Sequence, residues 1–313
     1  MRLTRIVLTL SLSLLLTLAC SKRITNLPPE DNHGNTNVHK LVNRVGDSTR
    51  FEIGTWNIEW FPKEGNTTVS DVKTIIQNLD IDMFAVEEIS NVSAFNRLLD
   101  SLPGWDGKLS GDTYSNGTYQ KTGILYKTAF ISLSNVHNIF TDDYYAFPRP
   151  PLTAYVEIRD TRGEPFNFNL IVLHLKAKSG DENEARRRSA CEKLKQYIDL
   201  EISNGADADF VVLGDWNDQL NDPPDRNVFT AFLDDSSEYT FLTKGLSGQY
   251  SYISNSYKSL IDNILITNDA LSEYGSGKTE VLYLDSEYSP YLYEVSDHRP
   301  VVSIFKGFRL YLN

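Results

Sequence analysis

The chain has 313 residues, of which 41% are hydrophobic and 23% are charged. That length suits one large α/β domain or two small ones, and the composition excludes a disordered polyelectrolyte. The formal net charge is −12 at pH 7, so the average field of the surface does not attract nucleic acid or anionic lipid. Any polyanionic partner must therefore be held locally, by a few side chains or a bound cation.

The N-terminus has the features of an export signal. A basic segment with two arginines is followed by the apolar run 6–18, which is too short to span a membrane. The run ends in Ala19-Cys20, a junction that resembles the lipobox of bacterial lipoproteins. The resemblance implies a signal peptide over 1–19 and acylation of Cys20. We therefore expect an exported lipoprotein anchored on the periplasmic or cell-surface side of a membrane, with a plain secretory signal as the alternative.

Residues 20–48 are interpreted as a flexible linker. This segment is polar, contains Pro28-Pro29 and shows no apolar periodicity. Flexible-chain statistics give it a reach of roughly 30 Å. It would hold the rest of the chain, 49–313, away from the surface of the membrane.

From residue 51 onward, patterns typical of strands and helices follow one another. Strands are predicted over 51–58, 81–89, 123–126, 131–139, 152–158, 166–175, 210–213, 260–267 and 301–305. Helices are predicted over 70–79, 94–102 and 181–202. Several strands follow each other directly, which predicts mixed sheets with helices on their outer faces. Two sheets packed face to face would explain this order without eight regular βα units, and periodicity leaves that choice open.

Polar side chains stand at the ends of many predicted strands. They are Asn57, Glu87, Glu88, His174, Asp215, Asn217, Asp297 and His298, and Asp262 lies inside the apolar run 260–265. One acid in such a place could be a structural ion pair, because a carboxylate is costly to bury without a partner. A whole set is hard to explain by packing, and ligands of open α/β sheets lie beyond strand ends. The sequence therefore predicts one convergent site.

The residue types indicate the chemistry of that site. Carboxylates and amides suit a hard cation such as Mg²⁺, with Mn²⁺ as an alternative. The chain has only two cysteines and five scattered histidines, so it shows no zinc-type spacing. His174 and His298 lie beside acids or amides, an arrangement typical of general acids and bases. Motifs for a nucleophilic serine, a P-loop or a dinucleotide are absent from the sequence.

Six short blocks of sequence carry a family resemblance. They are Gly54–Asn57, Val86–Ile89, Leu173–His174, Gly214–Asn217, Ile261–Ile264 and Ser296–Pro300. In this order they resemble the signature segments of the endonuclease/exonuclease/phosphatase superfamily, which includes secreted deoxyribonucleases, repair endonucleases, sphingomyelinases and inositol-polyphosphate phosphatases. The resemblance covers about 51–305. It implies a catalytic domain over 49–313 with an α/β fold, a four-layer α/β/β/α sandwich of two mixed β-sheets packed face to face.

The resemblance also implies which residues bind metal and substrate. Glu88 matches the metal-binding glutamate, with Asn57 beside it and Asp297 as a further acid of the metal site. Glu87 stands where the family usually has Gln, which leaves open which of the two glutamates is the main ligand. Arg149 lies in a segment similar to the one that supplies a phosphate-binding arginine.

Five further residues match catalytic positions of the family. Asp215 and Asn217 match the pair that orients the attacking water and contacts the phosphoryl group. His298 matches the catalytic histidine, and Asp262 matches its orienting partner. His174 matches a second histidine of the secreted deoxyribonuclease and phosphatase branches.

The substrate is less determined than the reaction. The first interpretation is a nuclease, a Mg²⁺-dependent hydrolase of phosphodiester bonds in DNA or RNA outside the cytoplasm. The cations at 176, 178 and 186–188 could form a basic track or only a solvated helix face. Trp60 and Phe61 could stack on a base or lie in the core. A phosphomonoesterase or phospholipid phosphodiesterase is the second interpretation and an inactive binding lipoprotein the third; a monomer is expected.

Overall fold

The fold is that of a computed structural model, which describes residues 42–159, 166–254 and 256–306. The predicted signal segment, Cys20 and most of the predicted linker lie outside the described residues. Residues 42–48, the last part of that linker, have no regular secondary structure, although Val42 is buried. In the part of the chain that is described, no helix combines the length and apolarity needed to cross a membrane.

Strands and helices are numbered in chain order. The strands are β1 (Phe51–Phe61), β2 (Met83–Ile89), β3 (Trp105–Leu109), β4 (Lys121–Lys127), β5 (Ile131–Asn138), β6 (Leu152–Ile158), β7 (Phe166–His174), β8 (Phe210–Asp215), β9 (Tyr239–Phe241), β10 (Tyr252–Ile253), β11 (Lys258–Ser259), β12 (Asp262–Thr267), β13 (Lys278–Val281) and β14 (Val301–Phe305). The helices are α1 (Asn66–Leu79), α2 (Val92–Asp100), α3 (Asp181–Ser203), α4 (Thr230–Leu233), α5 (Leu271–Tyr274), α6 (Leu284–Glu287) and α7 (Tyr291–Glu294).

Two six-stranded sheets form the centre of the fold. The first has the strand order β13-β14-β1-β2-β4-β3, and the second has the order β5-β6-β7-β8-β12-β9. Each contains a parallel pair, β1 with β2 and β7 with β8, among antiparallel neighbours. Strands β10 and β11 form a separate short hairpin. Both large sheets are therefore mixed, as predicted.

Three apolar clusters define the layers. The cluster between the sheets combines Phe51 and Ile53 of β1 with Phe168 and Leu170 of β7. A second cluster joins the outer face of the first sheet to α1 and α2, and a third joins the outer face of the second sheet to α3. Each fully buried aliphatic or aromatic side chain contributes about 1.5–3 kcal/mol. The predicted four-layer α/β/β/α sandwich is confirmed.

The long helices begin and end where local chemistry favours it. Asn91 caps α2, because its side chain accepts a hydrogen bond from the amide of Ala94 at 2.9 Å. The first turn of α3 carries three acids, which interact favourably with the helix dipole. Strands β6 and β14 have the predicted bounds, whereas β1 continues beyond its predicted end to Phe61.

Candidate active site

Three neighbouring strands of the second sheet place polar side chains at one rim. His174 ends β7, Asp215 ends β8 and Asp262 begins β12, and the strand register pairs His174 with Asp215 and Asp215 with Asp262. Side chains along a strand alternate between faces. Because Leu213 and Ile264, two residues away, belong to the core between the sheets, all three polar side chains point into the space between the two sheets.

The first sheet presents its polar residues to the same space. Asn57 of β1 lies beside Glu87 of β2 in the parallel register. The Asn57 amide nitrogen donates to Oδ2 of Asp215 at 3.1 Å, which joins the two sheets across the gap. Glu87 is fully buried and accepts a hydrogen bond from the Thr55 hydroxyl at 3.1 Å. The centre therefore consists of strand ends from both sheets.

A local irregularity turns Glu88 away from its expected direction. Strict alternation would place Glu88 on the helix side of the first sheet, opposite to Glu87. However, the β1–β2 and β2–β4 registers shift near this point, and Glu88 has a φ of 62°. Its Oε2 accepts a hydrogen bond from the amide of Trp60 at 3.0 Å, and its Oε1 lies 3.9 Å from Nε2 of His174. Glu88 lines the cleft described below, whereas Glu87 lies behind it.

His298 and Asp262 form a direct pair. Nδ1 of His298 lies 2.8 Å from Oδ2 of Asp262, and Nε2 lies 3.9 Å from Oδ2 of Asp215. Asp262, which the family resemblance implies is the orienting partner of His298, is therefore in hydrogen-bond contact with it. With Nδ1 used in this bond, Nε2 is the ring nitrogen that faces Asp215. Asp297 stands beside the pair, with Oδ1 at 3.9 Å from the same Nε2.

Hydrogen bonds from buried side chains fix the backbone around His298. The His298 amide donates to the Ser296 hydroxyl at 2.9 Å, and that hydroxyl donates to the carbonyl of Asn57 at 2.7 Å. The Tyr291 hydroxyl donates to the His298 carbonyl at 2.5 Å and accepts a hydrogen bond from Trp56 Nε1 at 2.9 Å. These buried groups connect the segment before β14 to β1, so the position of His298 depends on the first sheet.

The turn after β8 sets the direction of Asn217. Its amide donates to Oδ1 of Asp215 at 2.8 Å, and its φ is 56°, a left-handed conformation that asparagine tolerates. The strand before it packs closely on β7, because a Cβ at Gly214 would lie 1.9 Å from the Leu173 carbonyl oxygen. Glycine is therefore required there to bring Asp215 beside His174.

The two histidines are driven towards opposite protonation states. Burial lowers the pKa of His174 well below its usual range, with the charge of Arg149 adding to the shift. Burial acts in the same direction on His298, but it is outweighed by the charge of Asp262 and by the hydrogen bond to it. The pKa of His298 is consequently raised well above its usual range. Paired groups whose pKa values are driven apart are typical of acid–base sites.

The carboxyl groups are also perturbed. Burial, followed by the charge of Asp262, raises the pKa of Asp215 to about 7. The pKa of Glu87 is raised well above its usual range by burial and by the charges of Asp262 and Asp215. Burial raises the pKa of Asp297 to about 6. Several acids in one buried space cannot all ionise easily unless a cation joins them.

Arg149 lies behind the centre rather than in the cleft. Its guanidinium donates to the carbonyls of His174 and Leu175 at 3.2 and 2.9 Å, and to the Gln120 side chain at 3.3 Å. It is buried, and it does not belong to the described residues that line the cleft. In this structure Arg149 supports the end of β7 that carries His174.

An open cleft of about 770 Å³ lies over the centre. Of the predicted site residues, it is lined by Glu88, His174, Asp215, Asn217, Asp297 and His298. Further lining residues that the sequence did not reveal include Glu59, Asp218, Gln219, Asp222, Tyr252 and Tyr257. These additional residues come mostly from loops and the β10–β11 hairpin, whose sequences carry no periodic signal. Trp60 also lines the cleft, whereas Phe61 is buried in the core.

The cations after His174 do not form a free basic track. Arg186 donates to the carbonyls of residues 144 and 145, and Arg188 donates to the carbonyl of Asn227. Arg187 is buried against Asp218 at 2.8 Å. Lys176 bonds the carbonyl of Ala177 at 2.9 Å. Their main role in this structure is to satisfy carbonyl groups and one acid.

A family profile agrees with this geometry. The profile of the Endonuclease/Exonuclease/phosphatase family matches residues 54–298. The chain belongs to this family. Family membership makes it a phosphoric ester hydrolase. A comparison with curated protein sequences finds no significant match.

Solved structures of the endonuclease/exonuclease/phosphatase fold resemble the chain at low sequence identity. TDP2 of D. rerio, complexed with a single-strand DNA product, has a TM-score of 0.57 at 14% identity, covering 83% of this chain and 100% of that chain. The human nocturnin catalytic domain with bound sulfate has a TM-score of 0.56 at 19% identity, covering 82% and 94%. A mannosyl-6-phosphatase of Bacteroides thetaiotaomicron has a TM-score of 0.55 at 16% identity, covering 82% and 100%. These likenesses show the shared fold.

Endonuclease/exonuclease/phosphatase enzymes depend on a divalent metal, and the centre has the donors for one. Asp215, Asp262 and His298 offer ligand atoms that lie within 4.8 Å of one another. Oδ1 of Asn57 is buried and finds no hydrogen-bond partner among the described residues. This amide oxygen and the carboxylate of Glu88 at the cleft wall form a hard donor set beside the group of Asp215, Asp262 and His298. The residues therefore fit a divalent cation.

Proposed function

We propose that the chain is a Mg²⁺-dependent nuclease that hydrolyses phosphodiester bonds in DNA or RNA outside the cytoplasm, with Mn²⁺ able to replace Mg²⁺. One observation carries the chemical part of this proposal. Beneath an open cleft, two buried groups whose pKa values are both raised, Asp215 and His298, lie beside hard oxygen donors. Hydrolysis of a phosphoester needs both a proton acceptor for water and stabilisation of developing negative charge.

The geometry supports a role for each polar side chain. Asp215 accepts a proton from the attacking water, since its Oδ2 faces Nε2 of His298 across a gap of 3.9 Å. The Nε2–H group of His298 donates a hydrogen bond to a phosphoryl oxygen, and Asp262 holds the ring in the tautomer that this requires. His174 and Asn217 donate further hydrogen bonds to non-bridging oxygens. Removing one such donor typically costs about 3 kcal/mol of transition-state stabilisation.

The metal would be held by oxygens of the first sheet and the cleft wall. Asn57 and Glu88 would hold it, with Asp297 as a further acid of the site. When bound, Mg²⁺ supplies Lewis-acid stabilisation of the charge that develops on the phosphoryl group. The oxygen donors and the absence of sulfur ligands among the described site residues favour Mg²⁺ or Mn²⁺ over softer metals.

Two features support a nucleic acid as substrate. The cleft is open and carries exposed aromatic side chains at Trp60 and Tyr257, and bases of single strands stack on such surfaces. The structural neighbour from D. rerio was solved with a single-strand DNA product. That likeness is one of fold, so the substrate itself remains a proposal for this chain.

A phosphomonoester of a small hydroxylated molecule is the second candidate. The cleft is lined by seven acids against three lysines and arginines, which disfavours a substrate with many phosphates. A mannosyl-6-phosphatase is among the proteins that share the fold. A substrate with a single phosphate on a neutral sugar would meet less repulsion in this cleft than a polynucleotide.

The two candidates predict different results in one assay series. Purified protein is incubated with single-stranded DNA, RNA, mannose 6-phosphate and sphingomyelin vesicles, each with Mg²⁺, with Mn²⁺ and after chelation. We expect strand cleavage that is lost with the chelator and restored by either metal, because the oxygen donors of the site favour Mg²⁺ and Mn²⁺. The Asp215→Asn variant, purified in parallel, controls for contaminating nucleases. Release of phosphate from the sugar ester without strand cleavage would replace the first candidate by the second.

For location, we propose a lipoprotein anchored through Cys20 on the periplasmic or cell-surface side, acting as a monomer. In cells supplied with labelled palmitate, wild type and a Cys191→Ser variant should both carry the label and sediment with membranes. A Cys20→Ser variant should carry no label. Cys191 is the matched control, because it is buried under α3 and has no access to acyl transfer. A labelled Cys20→Ser protein, or an unmodified wild-type N-terminus by mass spectrometry, would overturn this assignment.

A further inference from the structure

One wall of the cleft is an exposed tryptophan in a constrained backbone. Trp60 is 56% exposed, yet it lines the cleft beside Glu88. Its φ is 49°, a left-handed conformation that bulky residues rarely adopt. The conformation is held by its amide, which donates to Glu88 Oε2 at 3.0 Å, and by its carbonyl, which accepts from the Ser90 hydroxyl at 2.9 Å. This strained backbone keeps a large aromatic ring exposed to water at the cleft wall. Such an arrangement indicates a surface that binds a ligand.

Another wall of the cleft carries two tyrosines, on the β10–β11 hairpin. The Tyr252 ring lies 5.1 Å from the His298 ring, and the Tyr257 ring lies 6.4 Å from that of Tyr252. The hairpin is fixed to the centre, because Ile253 donates its amide to the Asp297 carbonyl at 2.8 Å. Tyr257 is 53% exposed and accepts a hydrogen bond from the Gln219 side chain at 3.2 Å. Its ring is therefore both positioned and accessible.

The two walls contact different groups of the reaction centre. Trp60 is bonded to Glu88, whereas Tyr252 packs on His298. Glu88 and His298 are connected through His174 and Asp215, because Nε2 of His174 lies 3.9 Å from Glu88 Oε1 and 3.4 Å from Asp215 Oδ2. A phosphate that reacts there must lie between Glu88 and His298. The groups attached to its two ester oxygens then extend towards Trp60 in one direction and Tyr257 in the other.

Charge gives the cleft little general affinity for a phosphate backbone. The lysine and arginines that line it are Lys178, Arg187 and Arg226. Arg187 is paired with Asp218 and Arg226 with Glu184, so their charges are already compensated. A strand must gain its affinity from other contacts, and aromatic faces supply such contacts to any base.

We propose that Trp60 and Tyr257 each stack on a base, one on either side of the scissile phosphate, so that the cleft selects unpaired strands. This inference rests on the proposed nuclease activity and adds the form of the substrate to it. Bases of a duplex are stacked on each other and paired, and they cannot insert between the two walls without unstacking. Single-stranded DNA or RNA is therefore the preferred substrate.

The test compares strands with and without bases. KM and kcat are measured for a single-stranded 12-mer, for an abasic strand of the same backbone and length, and for the matching duplex. The proteins are wild type, Trp60→Ala, Tyr257→Ala and Tyr144→Ala. Tyr144 is the matched control, because it is 62% exposed and lies outside the set of described residues that line the cleft.

We expect the wild type to have a lower KM for the base-bearing strand than for the abasic strand and the duplex. Trp60→Ala and Tyr257→Ala should each raise the KM for the base-bearing strand roughly 10-fold or more, as loss of a stacking contact does. Neither should change the KM for the abasic strand, and Tyr144→Ala should behave as wild type. Wild-type KM values in the two cleft variants would overturn the stacking inference while leaving the nuclease intact. Failure of the wild type to cleave any strand would instead overturn the nuclease proposal.

Discussion

Replacing His298 with alanine is expected to lower kcat by about three orders of magnitude, the usual scale for loss of a positioned acid–base group. The ring is fully buried, bonded to Asp262 through Nδ1 and directed at Asp215 through Nε2. No other described residue combines these two contacts. Asp262→Asn should also lower kcat steeply, because an amide cannot hold the ring in the same tautomer or stabilise its charged form.

The double variant distinguishes a catalytic unit from two separate contributions. If Asp262 acts through His298, the double variant should be little worse than the worse single variant, since the two act on one step. If Asp262 only anchors β12, its loss should lower stability and the two effects on kcat should add. Thermal unfolding of all three variants, with kcat measured well below each Tm, separates these outcomes. Some loss of stability is expected for His298→Ala alone, because Asp262 is then buried without its partner.

Asp215→Asn is the second substitution with a large expected effect, again about a 10²- to 10⁴-fold loss of kcat. The amide keeps the shape and can still accept the Asn217 amide hydrogen bond at Oδ1. It cannot accept a proton from water. The amide nitrogen that replaces Oδ2 can no longer accept the hydrogen bond from Asn57, so a small loss of stability is expected in a variant that is folded but close to inactive.

Asp209 offers a matched control at the other end of the same strand. Burial raises the pKa of Asp209 to about 7, as it does for Asp215, but Asp209 precedes β8 whereas Asp215 ends it. Asp209→Asn should leave kcat unchanged. Equal losses of activity in the two variants would mean that Asp215 acts through the stability of β8 and not through chemistry.

The centre was predictable because it uses the regular period of strands. His174, Asp215 and Asp262 follow apolar residues of known alternation, so their direction into the gap between sheets follows from the core on the same face. The blocks that carry these residues also carry the family resemblance. The order of strands and helices predicted mixed sheets with helices on their outer faces. The face-to-face packing of two sheets was implied by the family resemblance, because periodicity left that choice open.

The cleft walls were not predictable, because their direction depends on irregular backbone. Trp60 and Glu88 both have positive φ angles, and neither direction follows from a two-residue period. Tyr252 lies on one strand of a pair that is two residues long, and Tyr257 lies in the connection between its strands, where there is no apolar pattern. The phosphate-binding role expected of Arg149 stays a prediction, and nothing in the sequence indicated that its guanidinium would donate to the carbonyls at the end of β7. Which acceptors a buried guanidinium contacts is decided by tertiary packing.

The reaction centre lies on regular strands, whereas the cleft walls lie on irregular backbone. This difference affects how the substrate of such an enzyme can change during evolution. The groups that act on phosphorus are fixed by strands whose other faces form the core, so substitutions there affect folding and chemistry together. Trp60, near the end of β1, and the β10–β11 hairpin contribute no side chain to the apolar clusters of the described residues. Positions of this kind accept new sequences at little cost in stability. Substrate specificity can therefore change while the residues of the hydrolytic centre stay the same. Relatives that share the reaction but act on different substrates are the expected outcome.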